Sequence, residues 1–343
     1  MRNFSCFFKV LLLIFIMESC TGPKDDSSRE VIVEGRIAPI LVRNKKIYFY
    51  RAKDSLNLFF AKKTITDSVN IDKDGNFKFI ISDWTKPGFF DLGMKDVIFA
   101  ANYFLQPGDK INLVFEGNEL PPKLHVSKEI GKYNYFLQVF YDSFYRSPEV
   151  KKFYYVISNF MFAPDYADYI NKRRIEQLAY FNNYFKNESV DSIFRFYFES
   201  ELNYNWANDK LYFLWKKRIR KEVRAVDTSY FDFLKIVPSD NPAALNCPGY
   251  TRFINLYIRE LYQEKFFAPS KDFSVSIEKC KLALEKLKGL DLKIALCNIL
   301  MDEMTNADNE KRVIRNDAVI NTLLDMALRS TGDSSYYYFV FKK

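Results

Sequence analysis

The chain has 343 residues, 48% hydrophobic, 17% aromatic and 27% charged, with a formal net charge of +8. This is a globular composition, which excludes a disordered or collagen-like chain. Eleven glycines against 34 phenylalanines and 23 tyrosines argue against glycine-rich phosphate cradles. A single histidine, His125, removes His-based metal centres and Ser-His-Asp or Cys-His catalysis. The first segment carries Arg2 and Lys9 ahead of the apolar run Val10–Met17. That run is shorter than the about 20 residues a membrane-spanning helix needs, and it fits the apolar core of a secretory signal.

Ser19-Cys20, then the polar stretch Thr21–Glu30, resembles a bacterial lipoprotein signal with its lipobox. Met17 and Glu18 depart from the strict pattern. The resemblance implies cleavage before Cys20 and acylation of that residue, so residues 1–19 are expected as signal peptide and 20–30 as polar tether. The lipid attachment site is Cys20, and the partner it implies is the bilayer. Lys24-Asp25-Asp26 resembles the export signal of Bacteroidetes surface lipoproteins. The expected location is the cell envelope, as an outer-membrane lipoprotein facing either the periplasm or the surface.

Residues 31–120 read as short strands. Val31-Ile32-Val33 and Lys46–Tyr50 are β-rich, and Ile65, Val69 and Ile71 are spaced for one face, with Asp67 breaking the alternation. Phe77, Phe79 and Ile81 alternate after Asp74-Gly75, a pattern that predicts a hairpin because Gly tolerates the positive φ of the turn. Pro87-Gly88 and Pro107-Gly108 mark further turns, the second flanked by Phe104-Leu105 and Ile111–Phe115. The expectation is a small antiparallel β-sandwich or barrel.

Beyond Pro121-Pro122 the period changes from 2 to 3.6. Stripes at Tyr133, Phe136, Leu137, Phe140, Tyr141 and Phe144, at Tyr250, Ile254, Tyr257, Ile258 and Leu261, and at Ile320, Leu323, Leu324, Ala327 and Leu328 predict amphipathic helices. Aromatic residues between 153 and 215 are dense enough to cover more than one helix face. Without a fixed repeat, residues 121–343 are expected as an irregular α-helical bundle, and the whole as an α+β protein.

The lipidated start, Asp74-Gly75-Asn76-Phe77, Phe104–Ile111, Asp232-Phe233-Leu234 and Asn241-Pro242-Ala243-Ala244-Leu245 together resemble the front part of Bacteroidetes lipoproteins related to TlpA-like thiol-disulfide oxidoreductases. Those combine a DUF4369-type β domain, a helical domain and a thioredoxin fold with Trp-Cys-x-x-Cys. In this sequence Cys247, Cys280 and Cys297 lack Cys-x-x-Cys spacing, and the chain ends at Lys343. The resemblance therefore implies the non-catalytic front end. It carries no catalytic residue, no cofactor site and no metal site, and no nucleic acid partner. The function expected is a membrane-anchored, non-enzymatic module binding an envelope protein or a small apolar or aromatic ligand. The alternative is a thiol-redox-associated component, a truncated paralogue working through Cys247 or with a separate thioredoxin. A third reading is a decayed or frameshifted gene.

Other candidates are weaker. Three cysteines outside the signal permit at most one bridge, and Cys280 and Cys297 lie on apolar stripes as small buried hydrophobes. Asn70-x-Asp72-x-Asp74-Gly75 matches the first half of a calcium loop but has Ile81 where the bidentate Glu belongs. Lys216–Arg224 holds six basic residues in nine and reads as a solvated helix face, with anionic lipid or lipopolysaccharide headgroups as its electrostatic partner. Glu260 and Glu264 are one turn apart, and Arg259 and Lys265 predict surface ion pairs for them. His125 reads as a surface residue between the two halves. Asp54-Ser55, Asp67-Ser68 and Asp191-Ser192 resemble O-glycosylation acceptors, whose serines must be on the surface.

Overall fold

The computed structural model describes residues 30–38, 46–51, 64–94, 97–116, 123–126, 131–146, 159–223, 225–266, 274–309 and 317–334. Cys20, the Lys24-Asp25-Asp26 stretch, Asp54-Ser55, Pro121-Pro122, Arg224 and the C-terminal aromatics lie outside these. The protein is a mixed α+β chain: eight described strands, β1 Val31–Ile37, β2 Lys46–Arg51, β3 Thr64–Asn70, β4 Asn76–Ile81, β5 Gly88–Met94, β6 Val97–Leu105, β7 Lys110–Glu116 and β8 Lys123–Val126, precede the helices.

The strands form two four-stranded sheets, β4-β1-β7-β8 and β3-β2-β5-β6. Two sequence expectations change here. Asp74-Gly75 forms the expected tight turn, with Gly75 at φ 87° and Asp72 accepting from the backbone of Asp74 and Asn76 at 2.9 and 2.7 Å. The flanking strands, however, belong to different sheets: β3 pairs with β2 and β4 pairs with β1. Pro107-Gly108 does the same between β6 and β7, with Gly108 at φ 85°. Turn chemistry fixes the reversal; the choice of partner follows the apolar faces. Both β3 and β4 are edge strands of their sheets, but from Ile65 to Asn70 β3 has no buried side chain, whereas β4 buries Phe77, Phe79 and Ile81. The second change is that β1 and β7 run parallel, so the pairing is not wholly antiparallel. Gly35 permits that contact, since a Cβ there would lie 2.1 Å from the carbonyl oxygen of Leu113 on β7.

One apolar core joins the two sheets. Phe49 of β2 stacks on Phe90 of β5 at 4.9 Å and meets Phe79 of the other sheet at 5.5 Å. Trp84, in the crossing between β4 and β5, packs edge-on against Phe49 and donates to the carbonyl of Leu105 at 3.2 Å.

The helices follow: α1 Lys132–Tyr141 running into a π-helical turn Asp142–Arg146, α2 Ala163–Tyr184, α3 Ser192–Ile219, 3-10 turns Thr228–Lys235 and Pro242–Asn246, α4 Pro248–Phe266, α5 Ser274–Lys286, α6 Gly289–Asn309 and α7 Asp317–Thr331. Their starts are legible in local chemistry. Pro164 opens α2 with its φ already helical, and Asp191 caps α3 by accepting from Ile193 and Phe194 backbone N–H groups. The stripes read from the sequence are the buried faces: Phe136, Leu137 and Phe140 on α1; Tyr250, Ile254 and Ile258 on α4; Ile320, Leu323, Leu324 and Ala327 on α7. The central element is α3, which packs against both α2 and α4 and so buries more than one face, as the aromatic density requires.

Candidate functional site

The residues singled out in the sequence do not converge. Cys247, Cys280 and Cys297 are free and buried in the helical core. Burial raises all three thiols, Cys280 to about 12, the opposite of the lowered value a redox thiolate needs. His125 lies on β8 opposite Val114 of β7, so β8, beyond Pro121-Pro122, extends the first sheet. Asp72, the centre of the calcium-like stretch, spends its carboxylate on the turn: the Asn76 side chain donates to it at 3.0 Å, and this bond first, then the Asn76 backbone, holds its carboxyl below the usual range. No group of three potential metal ligands occurs among the described residues. Ser68 and Ser192 are exposed.

The charged candidates on α3 and α4 require correction. Lys217 and Arg218 are buried, not solvated. Lys217 bonds Glu222 at 2.5 Å and the carbonyl of Asn159 at 2.9 Å. Arg218 bonds Glu260 at 2.6 Å, with side-chain exposures of 4% and 2%. Glu260 is therefore the α3–α4 clamp and not a surface ion pair. The physical reason is the central position of α3: its last turn packs against α4 on one side, where Arg218 meets Glu260, and against the entry to α2 on the other, where Lys217 meets Asn159.

The motifs that carried the family resemblance also have structural work. Phe104 and Leu105 at the end of β6 point into different cores, Phe104 among the helices and Leu105 between the sheets. Asn134 of α1 closes both backbone groups of Phe104, accepting at 2.7 Å and donating at 2.8 Å. Gln106 donates to Asp191, the α3 cap, at 3.1 Å. Rings finish the junction: Phe89–Tyr197 at 6.2 Å and Phe104–Phe194 at 5.3 Å.

The Asn241–Leu245 motif sits in a buried polar knot. Asn241 donates through its backbone to the Tyr250 hydroxyl at 3.1 Å and through its side chain to the Tyr204 hydroxyl at 3.2 Å. The Tyr250 hydroxyl donates to Asp291, which also accepts from the backbone of Asp240 at 3.0 Å. Asp240 in turn accepts from Leu290 N–H at 2.6 Å at the start of α6, where Gly289 at φ +52° leaves room for its carboxylate. Burial raises the Asp291 carboxyl above its ordinary value of 3.8. Stability from this group is full below that value and falls as pH rises through the higher folded value. Asp291→Asn should therefore gain in unfolding midpoint relative to the parent as pH rises from below 3.8 through the higher folded value; a difference independent of pH would contradict this.

Among the described residues, a cleft is partly open where α1, α3 and β5 meet. Leu137 and Phe140 of α1, Tyr141 and Tyr145 at the π-helical turn, and Glu201 and Asn205 of α3 line it, with Phe89 of β5 at its rim. Single π turns in α-helices recur at functional sites, and this one sets Tyr141 and Tyr145 with ring centroids 5.6 Å apart. Arg173 lies 4.5 Å over the Tyr145 ring and donates to the carbonyl of Phe144 at 2.6 Å. Burial pushes the Tyr145 hydroxyl up to about 12, so it stays protonated and accepts from Gln177 at 3.0 Å. Glu201 accepts from Asn205 at 2.9 Å and from Gly249 N–H at 2.8 Å. The cleft is apolar and aromatic, with a carboxylate and an amide on its α3 side. Tyr141 falls on the α1 stripe, but Tyr145 carries no signal in the sequence because a π turn changes the helical phase without a residue signature, and Glu201 and Asn205 carry none because polar residues on a helix acquire a site only through the element packed against them.

No protein-family model, curated protein or solved structure matches the chain. No described helix is long and apolar enough to cross a membrane.

Proposed function

We propose that the protein is a cell-envelope lipoprotein, held to the bilayer through acylated Cys20, that acts as a non-catalytic binding module. In this reading residues from Val31 onward form a β-sandwich of the DUF4369 type, followed by an irregular helical bundle comparable to the front end of TlpA-like lipoproteins. The observation that carries the binding role is the aromatic cleft at the meeting of α1, α3 and β5. Its lining suits an apolar or aromatic group, since rings supply the contact area and a few polar groups fix orientation; the space between them, about 20 Å³ and so water-sized, must widen to admit a whole ligand. The thiol-redox alternative draws no support from the buried, raised cysteines.

The fluorescent probe N-phenylnaphthylamine tests the cleft. The parent chain should bind it saturably. Asn205→Phe, which places a ring in the cleft, should weaken binding by about tenfold or more, equivalent to about 1.4 kcal/mol. Thermal unfolding of the variant checks that the fold is retained. Equal affinity of parent and folded variant would remove the cleft as the binding site.

A further inference from the structure

The last turn of α3 and the entry to α2 meet at the surface. Asn159 joins them: its carbonyl accepts from Lys217 and its side chain from Arg220 at 2.9 Å. Just inside, Tyr166 of α2 stacks on Phe213 of α3 at 4.0 Å. This arrangement sets the next residues, Phe160 and Phe162, beside the α3 end, and both are 78% exposed. Ile219 is 41% exposed, and Arg220 and Lys221 are exposed with it. Isolated exposed apolar residues are ordinary, but two nearly bare phenylalanines next to an exposed isoleucine and a cationic turn are not.

Glu222 is engaged by buried Lys217 and also lies 3.9 Å from Arg220, so two cations share one acid there; exposed Lys221 and half-buried Lys216 add to them, and Asp165 lies in the first turn of α2. The sum over these residues is positive. Burial first, then the neighbouring Arg220 and Lys217, lowers the Lys216 ammonium, as crowding of like charges requires. The backbone adds a second observation. Lys221 N–H bonds the carbonyl of Arg218 and Glu222 N–H bonds that of Lys217, both at 2.9 Å, the pattern of a helix end whose left-handed residue is normally glycine. Here that residue is Lys221, at φ 59°. A cation occupies a place where glycine is conformationally cheaper.

We infer that Phe160, Phe162 and Ile219, with Lys216, Arg220 and Lys221, form a membrane-facing surface that seats on anionic lipid. The rings enter the headgroup–acyl boundary and the cations meet the negative headgroups, the combination that holds interfacial elements at bilayers. The inference rests on the proposed anchoring only for the nearness of a membrane. A tether would keep the body at the bilayer, and this face would set its orientation there.

The test uses the full chain carrying Cys20→Ala, so that lipidation plays no part, and co-sedimentation with phosphatidylglycerol or phosphatidylcholine vesicles. The N-terminal apolar run is present in every sample, so the change between variants reads the patch. The parent should prefer the anionic vesicles, and about 0.5 M salt should erase the preference. Lys221→Gly should lower that preference about fivefold, the factor for one cation near an anionic surface, while raising the unfolding midpoint by about 1–2 °C. Phe160→Ser with Phe162→Ser should weaken anionic-vesicle binding about tenfold, through loss of buried ring area. Binding to both vesicle types alike, or an unchanged preference in both variants, would overturn the inference. Failure of Cys20 to take up acyl label in the unmodified chain would remove the anchor and leave this result standing.

Discussion

Glu260→Ala is expected to lower unfolding free energy by about 3–5 kcal/mol. Its carboxylate meets Arg218 at 2.6 Å between α3 and α4, with both side chains withdrawn from water. Taking the carboxylate away strands a guanidinium in a site that cannot hydrate it, and the loss is mainly the cost of that uncompensated charge. The pair itself need not be a large net gain, because each ion was desolvated to form it. Arg218→Met combined with Glu260→Leu should therefore recover to within about 1 kcal/mol of the parent, or exceed it. Urea unfolding of the three variants reads this directly. A single-variant loss below about 1 kcal/mol would mean that the clamp behaves as a surface ion pair, contrary to its burial.

Phe136→Ala is the second large effect, at about 3–5 kcal/mol. Phe136 is fully buried, and its ring meets those of Phe181, Tyr184, Phe185 and Phe198 at 5.0–5.4 Å. Removal loses ring–ring contacts and leaves a cavity among large, rigid neighbours that cannot collapse into it. The same helix carries Asn134, which ties α1 to β6, so loosening α1 should also weaken the junction of strands and helices. Phe160→Ala supplies the contrast: removing an exposed ring should change stability by no more than about 0.5 kcal/mol. Denaturant unfolding of both variants measures the difference, and equal losses would contradict the assignment of core and surface.

Much of the secondary structure was legible in the sequence because periodicity reports burial directly. Phe77, Phe79 and Ile81 alternate and are buried in β4; Ile320, Leu323, Leu324 and Ala327 recur at helical spacing and are buried in α7. Partnering was not legible. Asp74-Gly75 and Pro107-Gly108 announce reversals, but a local signal cannot distinguish a hairpin from a crossing between sheets, and the parallel β1–β7 pair depends on residues some 80 positions apart. Charge was misleading for a similar reason. Lys217 and Arg218 look like a solvated stretch until α3 is placed between α2 and α4, and Glu260 acquires its role only when Arg218 is brought to it. The cleft depends on a π turn, whose phase change around Tyr141 and Tyr145 no composition encodes.

Mass spectrometry of the N-terminal peptide from membrane-extracted protein decides whether the chain is a lipoprotein. The peptide should begin at Cys20 and carry acyl chains on that residue. An unacylated peptide that still contains Met1 would rule the anchor out.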